Sequence, residues 1–131
     1  MVNDIASTSA CRAGTTTKYS WGDDSDPNLA NYKDSGLKKT VPVGSYSQNP
    51  WGFFDMQGNV EEWCADWGAG YKKRGPVVDP TGPALGSWRN VRGGHWKSDG
   101  SRFYLSSVTR SVRTPRSDII FTGFRVILQK Q

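Results

Sequence analysis

The stretch Asn49-Pro50-Trp51-Gly52-Phe53-Phe54-Asp55-Met56-Gln57-Gly58-Asn59-Val60-Glu61-Glu62-Trp63 sets two glycines, an acidic Asp55 and an acidic pair among four aromatics. A plain strand or helix has little need of that mixture. A chain that bends sharply, aims carbonyl oxygens at one point and flanks them with carboxylates does need it. Asp55 and Glu62 offer charged oxygens, Gly58 permits a tight bend or a positive φ, and the backbone between them supplies neutral oxygens. Such an all-oxygen cage suits a hard cation such as calcium. The same residues also read as a polar loop capping a helix that starts near Asn59, because single-loop oxygen sites follow no strict spacing outside the EF-hand.

Around this stretch, 131 residues allow one domain with a real core and little room for a second. An apolar content of 35% with 15 glycines and 7 prolines is low for a regular helical protein, whereas six tryptophans and five tyrosines each bury a large area. The expected object is loop-rich, with short strands and one or two helices. No run approaches the roughly 20 apolar residues that span a bilayer. The opening "MVNDIASTSA" lacks a basic region followed by an apolar run, so it does not read as a secretory signal, and a cytoplasmic location is the default if Met1 is the natural start. Cys11 and Cys64 can either pair or stay as buried free thiols, the commoner state inside cells. With one histidine and two separated cysteines the chain lacks zinc-ligand spacing.

The net charge of +5 is unevenly placed: residues 1–88 carry eight Lys/Arg and ten Asp/Glu, and residues 89–131 carry nine and two. A basic block can attract nucleic acid or acidic ligands. Here the arginines are spaced among Ser, Thr and Val, as in "TRSVRTPRS", which suits stems packed on aromatics and heads bonded to loop carbonyls, and argues against nucleic acid.

Along the chain, residues 1–10 are polar and small, with no apolar periodicity. Residues 19–39 are rich in Asp, Asn, Gly and Pro and read as loop. "TVPVGSY" (40–46) reads as a short edge strand because of Pro42. Residues 59–67 read as a short helix, with Asn59 as N-cap, Glu61 and Glu62 meeting the dipole, and Trp63 and Trp67 on one face. Residues 87–92 with His95-Trp96, then 103–112 and 123–128, read as strands, and a loop fills 68–86.

"NPWGFFDMQGNVEEWCADW", "DPTGPALG", "VRGGHW", "RTP" and "GFRV", preceded in order by "CRAGTTTKYSWGDD", "ANY" and "VPVGSY", resemble the formylglycine-generating-enzyme (sulfatase-modifying factor) family over about residues 10–128. The resemblance implies an α+β fold that is a variant of the C-type lectin fold. It implies a calcium site with side-chain oxygens from Asp55 and Glu62 and carbonyls from Gly58 and Val60. It also implies a weaker second site at Asn31 and Tyr32, whose acidic ligand would fall near Ser35. It divides the chain into a non-family segment, 1–10, and a domain, 11–131, that corresponds to the C-terminal part of the family domain.

Catalytic members of that family use two cysteines, holding copper, to oxidise a client cysteine. Those positions fall here at about Ser98 and near Arg102 or Phe103, and neither is sulfur, so no copper and no formylglycine chemistry are expected. Ser98, His95 and Asp99 lie too close in sequence to make a credible triad. Binding is left. Residues 95–118 lie where the family meets its client peptide, and His95, Trp96, Lys97, Ser98, Arg102, Tyr104, Arg110 and Arg113 are the candidate contacts, aromatics with arginines being usual at hot spots. The expected ligand is a peptide, a protein or a small acidic molecule. The competing readings are a residual fragment that folds but has lost its activity, and an enzyme of unassigned chemistry. Because the family domain carries more chain before residue 11, uncovered apolar surface is expected to be closed in a homodimer, with Trp21, Phe53 or Trp88 near the contact.

Overall fold

The computed structural model describes residues 1–70, 82–100 and 103–126. One helix, α1 (Asp4–Arg12), and four strands, β1 (Glu61–Trp67), β2 (Arg89–Arg92), β3 (Ser111–Arg113) and β4 (Thr122–Phe124), are joined by long loops and two 3₁₀ turns at Lys33–Ser35 and Phe103–Leu105. The sheet order is β3-β2-β1-β4. β2 lies antiparallel to both β1 and β3, and β4 lies parallel to β1.

The central strand β1 occupies the residues read as a helix, and the reason lies at Asn59. Its φ is 62°, in the left-handed region and not in the extended one that an N-cap residue takes. Its side chain caps nothing. Instead Oδ1 accepts the Val41 N–H at 2.9 Å and Nδ2 donates to the Val41 carbonyl at 3.1 Å, so the amide stands in for a strand partner. Trp63 and Trp67, four apart, share a face at period two as well as at period 3.6. Cys64 and Asp66 are buried on the other face. Residues 40–46 form no strand; Ser45 N–H closes a turn on the Pro42 carbonyl, and Val41 has taken Asn59 as its partner. His95 and Trp96 lie in a turn. Within 103–112 a 3₁₀ turn precedes β3, and β4 begins one residue earlier than read. Residues 127–128 of the expected last strand, and most of the loop expected at 68–86, fall outside the described residues.

The polar segment 1–10 supplies most of α1. Asn3 caps it by accepting the Ala6 N–H at 2.7 Å, and Arg12 stands in its last turn. The face it buries is polar. Asp4 accepts Arg92 Nε at 2.5 Å and Arg110 Nη1 at 3.3 Å, and its N–H donates to Asp66 Oδ2. A helix with little apolar surface is thus fastened to the sheet by a paired carboxylate in place of a hydrophobic stripe. Away from it, Tyr19, Ala30, Tyr32 and Leu105 form an apolar cluster with Trp21 packed against it. Gly58 carries the one bend in the opening stretch that no other residue could make: φ is +83° and a Cβ would stand 2.4 Å from the Asn31 carbonyl oxygen. No helix of the described residues is long and apolar enough to cross a membrane.

Candidate functional site

Beyond β2 the chain turns at Gly93 and Gly94, and the turn opens a cleft of about 370 Å³ that reaches from Glu61 and Val91 to Ser111 and Arg113. Gly94 has φ +67° and its absent Cβ would lie 2.6 Å from the Tyr104 carbonyl oxygen, so the cleft wall depends on glycine here. His95 N–H donates to Ser98 Oγ at 2.9 Å, Ser98 N–H donates to the His95 carbonyl at 2.8 Å, and His95 Nδ1 accepts the Lys97 N–H at 3.1 Å. The imidazole stacks on Phe121 with centroids 3.9 Å apart. Burial, reinforced by the Arg113 and Lys97 charges, lowers its pKa to about 4, so the ring is neutral at pH 7.

The buried Glu61 carboxylate forms the cleft's acidic base. It accepts Arg113 Nε at 2.8 Å and Nη2 at 3.1 Å, together with the Thr122 hydroxyl at 2.9 Å. Of the expected contacts, His95, Lys97, Ser98, Tyr104 and Arg113 line this one cleft. Trp96 does not line it; Lys97 Nζ stands 4.9 Å above its ring. Arg110 is turned to Asp4 and donates to the Ala69 carbonyl at 2.6 Å. Arg102 lies outside the described residues. Glu61 and Arg92, which also line the cleft, were missed. Glu61 was assigned to a helix dipole, and a period-two reading of 61–67 was the signal that would have placed it on the sheet.

The two carboxylates of the expected calcium set each have a protein partner. Asp55, at φ 52°, and Gly58, at φ 83°, both bend left-handed. Asp55 Oδ2 accepts the Gly44 N–H at 2.6 Å. Glu62 is held by Arg125, from Nε at 2.9 Å and Nη2 at 2.8 Å, so a cation here shares that carboxylate with a guanidinium. Among the described residues no three His, Cys, Asp or Glu side chains gather where they could hold a metal ion. At the weaker site, the Ser35 hydroxyl lies 2.9 Å from Asn31 Oδ1 and 2.7 Å from the Tyr32 carbonyl oxygen. A cation there has to displace it.

Both thiols are free and buried. Cys11 Sγ lies 3.7 Å from the Met56 carbonyl oxygen and 3.5 Å from Ser107 Oγ, and burial raises its pKa. Burial pushes the Cys64 thiol up to about 12. Neither lines the cleft.

One helix fastened to a four-stranded sheet, with loops folded into a cleft at the end of β2, defines a small α+β domain. The chain belongs to the sulfatase-modifying factor family: the Sulfatase-modifying factor enzyme 1-like domain matches residues 5–130. It is 36% identical over 134 residues to the formylglycine-generating enzyme of Streptomyces coelicolor, covering 88% of this chain and 42% of that one. It is 43% identical over 93 residues to the serine/threonine-protein kinase pkn1 of Chlamydia caviae, covering 68% of this chain and 14% of that one. Among solved structures, Treponema denticola variable protein 1 superposes with a TM-score of 0.84 at 29% identity, over 95% of this chain and 45% of its own. PvdO from Pseudomonas aeruginosa does so with a TM-score of 0.84 at 26% identity, over 95% and 50%. The chain thus spans half or less of each of these relatives.

Proposed function

We propose that this chain is a non-catalytic binding member of the family that takes a peptide or small acidic ligand in the Gly93–Arg113 cleft, on a scaffold stabilised by calcium. The observation that carries the first part is Ser98. Where the family resemblance places the first thiol there is a buried hydroxyl already accepting the His95 N–H. A neutral alcohol does not fit copper, which calls for soft, ionised sulfur. Cys11 and Cys64, buried elsewhere and held protonated, are poor substitutes. Lys97 at the cleft supplies positive charge for an acidic ligand, Arg113 being paired with Glu61, and Tyr104, an exposed lining residue, supplies an aromatic contact.

Calcium is assigned to Asp55, Gly58, Val60 and Glu62, where it would neutralise two carboxylates and tie the 55–60 bend to β1. The support is the all-oxygen donor set and the left-handed bends at Asp55 and Gly58.

The experiment has two arms. Incubation with copper, oxygen, a reductant and a cysteine-containing sulfatase peptide is expected to give no aldehyde; aldehyde formation overturns the non-catalytic reading. A short Asp/Glu-rich peptide titrated against isotope-labelled protein is expected to shift the amides of residues 93–98 and 111–113. No saturable shift there removes the cleft as its site.

A further inference from the structure

A second cavity, of about 450 Å³, shares no lining residue with the cleft. Its walls include Trp21, Tyr46, Pro50, Phe53 and Met56, and its single charged lining residue among those described is Asp55. In a chain of net charge +5, no Lys, Arg or His lines it among the described residues.

The walls are fixed in advance. Trp21 stacks flat on Tyr19, centroids 5.1 Å apart and planes 4° from parallel, and its Nε1 donates to the Asp24 carbonyl at 3.0 Å. One indole face is therefore covered and the edge is held, and the residue lines the cavity. Asn49 braces the other wall. Its Nδ2 donates to the Ala10 carbonyl at 2.6 Å and its Oδ1 accepts the Trp51 and Phe53 N–H groups at 3.0 and 3.1 Å.

The chemistry selects among ligands. An anion would face the Asp55 carboxylate beside the aromatic lining, with no Lys, Arg or His among the described lining residues. A neutral apolar molecule would strip water from Asp55 and return nothing to it. A cation with an apolar skin gains from both, since ring faces attract ammonium and guanidinium groups within about 6 Å and the attraction grows as water is excluded. We propose that this cavity is a binding site for an alkylated ammonium group, carried on a free small molecule or on a lysine side chain. The aromatic walls are independent of the acidic-ligand cleft. Asp55 is shared with the proposed calcium site, where calcium would take up the charge that attracts the cation, so the tests are run in EDTA.

Choline and a peptide carrying trimethyl-lysine are titrated separately, with tryptophan fluorescence and amide shifts as readouts, against 3,3-dimethylbutanol, the neutral isostere of choline. At least one cation is expected to bind saturably, with shifts at residues 20–21 and 46–57, and the isostere to bind about tenfold more weakly or not at all. Which cation binds distinguishes the free source from the side-chain source. Tyr46→Ala is expected to weaken binding about tenfold, and Trp21→Leu is the second variant should Tyr46→Ala not fold. Absence of saturable binding by either cation overturns the proposal. So does equal binding of the isostere, or binding by the wild type that shifts amides elsewhere. The melting shift on adding calcium to the same protein without the ammonium ligand reports on the calcium site separately.

Discussion

Glu61 on the central strand and Arg113 on the edge strand β3 are joined by a two-point ion pair that passes over β2, with Nε–Oε1 at 2.8 Å and Nη2–Oε2 at 3.1 Å. The Thr122 hydroxyl adds β4 to the same carboxylate, so one side chain links three strands. Glu61 is 4% exposed and Arg113 26%, so removing the charge leaves a half-desolvated guanidinium without its partner. Glu61→Gln is expected to cost about 3 kcal/mol, read from the urea midpoint. Arg113→Lys keeps the charge but loses the fork and is expected to fall between the variant and the wild type. Equal midpoints for all three proteins would mean the pair contributes nothing.

His95 makes stability pH-dependent in a stated direction. Burial first, then Arg113 and Lys97, lower its pKa from 6.5 to about 4, so between these values the unfolded chain binds a proton the folded chain refuses. Stability from this group is complete above about pH 6.5 and is lost as pH falls towards 4. The loss is on the order of 2 kcal/mol, allowing for the ring's partial exposure. Denaturant midpoints measured across pH 4–7 are expected to slope less steeply in His95→Gln than in the wild type. Parallel slopes would show that the imidazole titrates alike in both states.

Calcium is expected to raise stability by mass action, by about 3 kcal/mol at a hundredfold excess over its dissociation constant. EDTA should therefore lower the melting temperature of the wild type, and Glu62→Ala should abolish that response. Arg125 bonds both to Glu62 and to the Phe54 carbonyl, at 2.8 Å, so the carboxylate stays in place for the cation to share. A melting temperature indifferent to EDTA in the wild type removes the site.

How much of this could be read from sequence depended on whether the signal was local. The Asp55–Glu62 bend was legible because its left-handed residues include Gly58 and its acids are adjacent to it, and the ordered motifs carried the family and fold. The strand at 61–67 was not. A good N-cap type and tryptophans four apart fit a helix as well as a strand, and what decided the matter was Asn59 pairing with Val41, 18 residues away. The helix at 4–12 was hidden for a related reason. Its buried face is Asp4, Ser7 and Cys11, held by arginines from β2 and the segment before β3, so apolar periodicity had nothing to detect. In the cleft, five contacts fell within residues 95–113 and were found together, whereas Glu61 reaches it only through sheet register.

Self-association is the remaining expectation, and the exposed side chains suggest where it would occur. Phe124 is 70% exposed, Val126 76% and Phe54 41%. Arg125 Nη2 donates to the Phe54 carbonyl at 2.8 Å. Val43, 88% exposed, precedes Gly44, whose Cβ position is 3.8 Å from the Phe54 ring. Phe124 lies on β4, an edge strand of the sheet, and such an edge is itself open to pairing. Trp88, at 53%, is exposed as expected for a contact residue, whereas Trp21 and Phe53 are half-buried in the second cavity's walls. Covering even about 200 Å² of apolar surface on each copy is worth several kcal/mol at about 25 cal/mol per Å². A two-fold dimer through this edge is therefore expected, with light scattering giving twice the 14.5 kDa chain mass. Phe124→Asp should return the protein to monomer without lowering its melting temperature by more than the loss of association explains. A wild type that stays monomeric at high concentration would show that the patch is left to solvent.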